Sequence, residues 1–242
     1  MQRRNFLKIL ATGAVVAVNP SLINGVLRAD DGTLFQAYQR VKLVDANNNP
    51  IKASALEKEI TYVFNYPFVG TPCLLINLPK KTERNIALKS DSGEEYMWKG
   101  GVGKEGSIVA YSGICAHQLT HPTPDDSFID YVPTTSKTIA CDQTGIIVCS
   151  SHLSAFDAGR GCKNIVGEAR QPLACIVLEH DEASDELFAV AVLGPDKFQD
   201  YFKSFKDELK QYYGGRRKAK KDVEVSATLV KMTEFSKEII SY

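Results

Sequence analysis

The chain has 242 residues, and its 29 lysines and arginines balance its 29 aspartates and glutamates to a formal net charge of zero. That balance excludes the basic footprint of a nucleic-acid binder. The 44% apolar content excludes a disordered chain and suits one domain with extensions, or one and a half.

The N-terminus reads Arg3-Arg4-Asn5-Phe6-Leu7-Lys8, which looks like a twin-arginine export signal, and an apolar stretch from Ile9 to Val18 follows. Ten residues are too few to span a bilayer, which needs about 20. Extension to Leu27 reaches that length but takes in Asn19, Pro20, Ser21 and Asn24. Leu27-Arg28-Ala29 is a poor cleavage site, so residues 1–28 are expected to act as a signal or, retained, as a membrane anchor through residues 9–27. Residues 29–37 are read as a linker.

Short strand signals then recur. Gln39–Asp45, Ile60–Tyr66, Cys73–Leu78, Ile86–Leu88, Ser107–Ser112, Lys137–Cys141, Ile146–Cys149, Ala174–Glu179 and Leu187–Leu193 are separated mostly by turn residues such as Asp91-Ser92-Gly93 and Gly100-Gly101. This pattern predicts an all-β, antiparallel domain over 38–195. Residues 122–136, polar and punctuated by proline, are expected to be a surface connection. Beyond Gly194-Pro195 the spacing of Phe198, Tyr201, Phe202, Phe205, Leu209 and Tyr212 predicts one amphipathic helix ended by Gly214-Gly215. Its aromatic face is expected to dock on the β-domain. The basic run 216–221 is read as a solvated linker, and the tail 223–242 as a segment that orders only against a partner.

Within the β-region two Cys/His pairs stand out, Cys115-Ala116-His117 and Cys149-Ser150-Ser151-His152. Two thiolates and two imidazoles make a metal centre. Zinc takes such a set, but Cys-x-His is a poor zinc-finger knuckle. The run Ser154-x-Phe156-Asp157-x-Gly159 follows the second pair. It resembles the cluster-binding loop of the Rieske family, in which two Cys hold one iron of a [2Fe–2S] cluster and two His the other. The resemblance implies a Rieske-type β-sandwich with an inserted cluster-binding subdomain, about residues 112–173, each ligand pair capping a hairpin. It implies Cys115 and Cys149 on the inner iron, and His117 and His152 on the outer iron through Nδ1 with Nε2 turned outward. Ser154 would donate to a bridging sulfide. A folded-protein export signal fits a cluster assembled in the cytoplasm and used outside it.

Three departures from the family bear on tuning. Thr120 and Ser151 stand where quinol-oxidising relatives carry a loop-bracing disulfide. Phe156 replaces the usual Tyr, removing a hydrogen bond to a ligand sulfur. Gly167-Glu168-Ala169-Arg170-Gln171-Pro172 replaces a proline-rich shield and brings charges near the cluster. All three point to a potential below that of braced, Tyr-containing relatives. Leu119 and Leu153 are read as an apolar rim around the histidines.

The function expected is a Rieske [2Fe–2S] electron-transfer subunit of a periplasm-facing oxidoreductase complex, taking electrons from quinol or a catalytic subunit and passing them to a cytochrome. It would sit on the periplasmic side of the inner membrane, anchored or soluble. The alternatives are a ferredoxin-type carrier for an oxygenase and a zinc-stabilised binding module. His121 is weighed as a loop brace, His180 as a surface residue, and Trp98 as core. Cys73, Cys141 and Cys175 are expected to be buried and Cys162 exposed.

Overall fold

The computed structural model describes residues 34–241, together with the backbone of Leu27 and Arg28. The twin-arginine motif, the apolar stretch 9–18 and the rest of the candidate anchor to residue 26 lie outside the described residues, as do linker residues 29–33. Among the described residues no helix is long and apolar enough to cross a membrane.

In chain order the first strands are β1 (Leu27–Arg28), β2 (Leu34–Val44), β3 (Thr61–Asn65), β4 (Pro72–Asn77), the hairpin β5 (Ile86–Lys89) and β6 (Glu95–Trp98), and β7 (Ile108–Ser112). The chain then makes an excursion through β8 (Asp126–Ser127), β9 (Ile129–Val132), β10 (Ile146–Cys149), β11 (Ser154–Asp157) and β12 (Lys163–Val166). It returns through the hairpin β13 (Cys175–Asp181) and β14 (Glu186–Leu193). The large sheet runs β1-β2-β14-β13-β7-β4-β3 and continues into the tail, while β12-β11-β10-β9 form a separate four-stranded sheet. The strand β7 pairs β13 across Tyr111 and Cys175. Everything between them is therefore an insertion standing off the large sheet. The protein is mostly β, as the recurrent strand signals predict.

The central strands β3, β4 and β7 carry apolar residues on both faces, and period-two alternation sorts them into two cores. Phe64, Cys73 and Leu75 join one core with Phe198, Tyr201, Phe202 and Leu209. Val63, Leu74, Ile76, Val109 and Tyr111 join the other, with Trp98, Ile129, Ile147 and Phe156 of the hairpin and the inserted sheet. Each such fully buried side chain contributes about 1.5–3 kcal/mol. The second core also takes in Cys115 and Cys149, so the candidate ligands stand at the rim of packed structure.

Several elements depart from the expectations. Lys137–Cys141 is a loop, with Ile139 exposed and Cys141 half-buried. The connection 122–136 holds β8 and β9, whose Ile129, Tyr131 and Val132 are buried against β10; the flanking prolines and acids mask a four-residue apolar strand. Cys162 is fully buried. It follows Gly161 into the left-handed region, at φ 57°, which tucks the thiol inward beside Tyr111 and Cys175. All six cysteines are free thiols. The expected single helix breaks at Phe205 into α1 (Phe198–Ser204) and α2 (Lys206–Tyr213), and Gly214 caps the second at φ 70°. The aromatic face does dock on the β-domain.

The tail orders on the domain itself. After α3 (Arg216–Ala219), β15 (Ser226–Thr228) pairs β2 in parallel and β16 (Val230–Lys231) pairs β3. Strand β16 thus covers the outer edge of β3, and β15 covers the Lys42–Val44 end of β2, whose other end is paired by β1. After α4 (Met232–Phe235), β17 (Glu238–Ile239) pairs β8 in the insertion. The Ser236 hydroxyl donates to Thr123 O at 2.6 Å, and Lys237 meets Asp125 at 2.6 Å.

His180 is not a free surface group. Its Nε2 lies 2.8 Å from Asp185 Oδ1, at the turn between β13 and β14. The Ser54 hydroxyl, then His180 and the Ser54 N–H, hold the Asp185 carboxyl down to about 2. A depressed carboxyl stabilises the fold above its unfolded value, 3.8, and that stabilisation is lost as pH falls through about 2. Asp185→Asn should therefore show a shallower acid loss of stability across that window, read from urea midpoints at about pH 5 and about pH 2.5.

Candidate metal centre

The two candidate ligand pairs reach the tip of the insertion by different routes. Cys149 ends β10 and pairs with Ser154 at the start of β11, so Ser150–Leu153 form a hairpin tip. The first pair does not cap a strand hairpin, contrary to expectation. It sits on a loop leaving β7, closed on itself by Cys115 N–H to Thr120 O at 2.7 Å and Leu119 N–H to Cys115 O at 3.1 Å. The loops nevertheless share one design. In each, the leucine four residues after the cysteine has a left-handed backbone, Leu119 at φ 64° and Leu153 at φ 54°. A bulky residue there is strained, and such strain gathers at functional sites.

The turns aim backbone donors at sulfur. The N–H groups of His117 and Gln118 point at the Cys115 thiol, and those of Ser151 and His152 at the Cys149 thiol. The two sulfurs share a hydrogen bond. That bond draws Cys149 down to about 6 and, with burial, drives Cys115 up. One proton leaves the pair easily and the second is held by repulsion between neighbouring thiolates, a repulsion that metal charge would relieve.

The imidazoles pair likewise. The rings of His117 and His152 lie edge to face with centroids 4.9 Å apart. Among the described residues no three His, Cys, Asp or Glu groups converge on one ion-sized point. The four close up two by two, thiol with thiol and imidazole with imidazole. His117 Nε2 lies 2.8 Å from Glu168 Oε2, while its Nδ1 is buried with no hydrogen-bond partner. Donation from Nε2–H to the carboxylate leaves the lone pair on Nδ1. A buried lone pair without a donor is a cost that a metal ion removes. By its chemistry the donor set suits a metal, while its four groups stand as two pairs rather than around one point. Nε2 of His117 faces outward and is engaged there by the exposed Glu168 carboxylate.

The surrounding residues hold this arrangement without a covalent link. Thr120 Oγ1 lies 3.2 Å from Ser151 Oγ and also reaches the Cys149 sulfur, so a polar contact joins the loops. Ser154 is fully buried, and its oxygen accepts from Ala169 N–H at 3.2 Å, leaving its hydroxyl hydrogen available. Phe156 is fully buried in the second core. Gly167 turns the 167–172 segment over the loop at φ 90°, where a Cβ would meet Ser154 Cα at 2.4 Å. Leu119 is half-buried against the first core, and Leu153 is half-buried too. Their shared feature is the backbone turn rather than an open apolar rim.

His121 is the brace that the sequence only hinted at. Its Nδ1 bonds Leu119 O, its Nε2 bonds the Glu208 carboxylate, and its ring lies edge-on to Tyr201 and Phe205. The C-terminal helices thereby grip the first ligand loop at its strained leucine. No local pattern announces Glu208, which lies 87 residues away.

No protein-family model matches the chain. A similar solved structure is the soluble domain of the Rieske protein II (soxF) from Sulfolobus acidocaldarius. It is 24% identical, with 64% of this chain and 78% of that one covered at a TM-score of 0.44.

Two outcomes check this geometry. The pair Thr120→Cys with Ser151→Cys should close a disulfide between the loops and stabilise by about 2–4 kcal/mol, read as a melting temperature that falls on reduction. Gly167→Ala should destabilise by about 1–3 kcal/mol, seen in thermal melts.

Proposed function

We propose that this chain holds a Rieske-type [2Fe–2S] cluster and works as a one-electron carrier within an oxidoreductase complex. The observation that carries the reading is the two-by-two closure of the donors: a hydrogen-bonded thiol pair beside an imidazole pair, with His117 Nδ1 buried and unpartnered. A single tetrahedral zinc asks four donors to meet at one point. A mixed-ligand cluster asks for two like pairs set apart.

Cys115 and Cys149 would hold one iron, and His117 and His152 the other. When bound, such a cluster accepts and releases single electrons at potentials of roughly −150 to +300 mV. The chain's own residues tune that exchange. The backbone N–H groups aimed at the two sulfurs, and the spare hydroxyl hydrogen of Ser154, would stabilise the more negative reduced state and raise the potential. Phe156 offers no such hydrogen, and the Thr120–Ser151 contact is softer than a disulfide, so the centre is placed in the lower part of the range. The donor is a membrane quinol or a catalytic subunit, and the acceptor a cytochrome. The twin-arginine-like N-terminus supports an exchange on the periplasmic side of the membrane.

Purified protein should be coloured, contain iron and acid-labile sulfide, and give the EPR signal of a reduced mixed-ligand cluster. One zinc per chain in a colourless, EPR-silent protein would sink the reading. Cys149→Ser should abolish the signal. Phe156→Tyr should raise the midpoint in a redox titration; an unchanged or lower value counts against the assigned tuning.

A further inference from the structure

The two histidines are not equivalent. His117 is largely buried, and its outward nitrogen is occupied: Glu168 Oε2 lies 2.8 Å from Nε2. Glu168 belongs to the segment that Gly167 folds back over Ser154. The carboxylate therefore comes from a turned loop with little room to shift at its base. Beside it a cleft of about 520 Å³ is lined by Asp91, His117, Glu168, Arg170, Gln171 and Lys197, a strongly polar approach. His152 stands in the exposed hairpin tip, and among the described residues its ring meets only that of His117 and makes no hydrogen bond or ion pair.

We infer that Glu168 caps His117 and leaves His152 as the single port through which this centre meets its redox partner. The inference rests on the cluster reading above. It deepens that reading by fixing which ligand is presented and to what chemistry. A quinol or other hydroxyl-bearing donor that needs to accept or donate at the His117 nitrogen must first displace a carboxylate from a charged cleft. A partner that approaches His152 meets its exposed chain neighbour Ser151, so the surface offered is polar and suits a protein acceptor. Glu168 acts on the centre through His117 and is a positioning residue. A carboxylate accepting from the far nitrogen adds electron density to the ligand, which would make the iron harder to reduce.

The test uses diethyl pyrocarbonate, which acylates accessible imidazole nitrogen, on the purified full-length protein, with adducts located by peptide mass mapping. In the wild type His152 should be modified and His117 protected. In Glu168→Ala both should react. Glu168→Gln keeps an acceptor oxygen at the nitrogen, so His117 should stay protected although the charge is gone. Redox titration supplies the second readout: the midpoint should rise in both variants, because both lack the charge. Equal modification of the two histidines in the wild type, continued protection of His117 in Glu168→Ala, or an unmoved midpoint in both variants overturns the inference. Iron and EPR measurements on the same samples keep the two readings apart. Protein without a cluster overturns the cluster assignment, while its modification pattern still decides whether Glu168 caps His117.

Discussion

Two thiols buried side by side resist ionising together, because each negative charge raises the cost of the other and neither has water to spread into. The tip of this molecule is arranged around that repulsion. Cys115 and Cys149 each receive two backbone N–H groups from the turn that follows. To aim those groups the chain must curl tightly, and in both loops the curl ends in a leucine forced into the left-handed region. The strain is borne by neighbours rather than by glycine. Leu119 leans on the first core, and its carbonyl is gripped by His121; the second loop is clipped between β10 and β11.

The same logic explains why the C-terminal region belongs to the site although it supplies no candidate ligand. His121 carries the restraint from Leu119 to Glu208, and the ring contacts to Tyr201 and Phe205 set the helices against the loop. Tyr212, Gln211 and Lys237 all converge on Asp125 in the segment that follows. Loop and helices thus form one packed unit, joined through the partly buried His121–Glu208 pair.

What could be read from the sequence follows from how local each signal is. The strands β3, β4, β7 and β14 announce themselves because both faces are apolar, and Gly214 marks its helix end because only a permissive backbone turns there. Strand β9 hides because four residues between prolines and acids carry too little pattern. The burial of Cys162 depends on a turn whose sense one residue type does not disclose. At the site, the residues Cys115, His117, Cys149 and His152 are legible as chemistry. The positions of Thr120, Ser151 and Glu168 are legible only as departures from a pattern. Their contacts, and that of His121 with Glu208, join residues distant along the chain, and nothing local foretells them.

The covering of β2 and β3 by β15 and β16 carries a consequence for the order of events during synthesis. The outer edge of β3 and the Lys42–Val44 end of β2 stay open until residues 226–231 have left the ribosome. The helices that hold His121 precede that closure by only a short stretch of chain. Until that stretch has emerged the outer edge of β3 is unpaired and the first ligand loop is unbraced, so edge and loop are completed late and close together. A chaperone that shields extended strands would find its client in that interval.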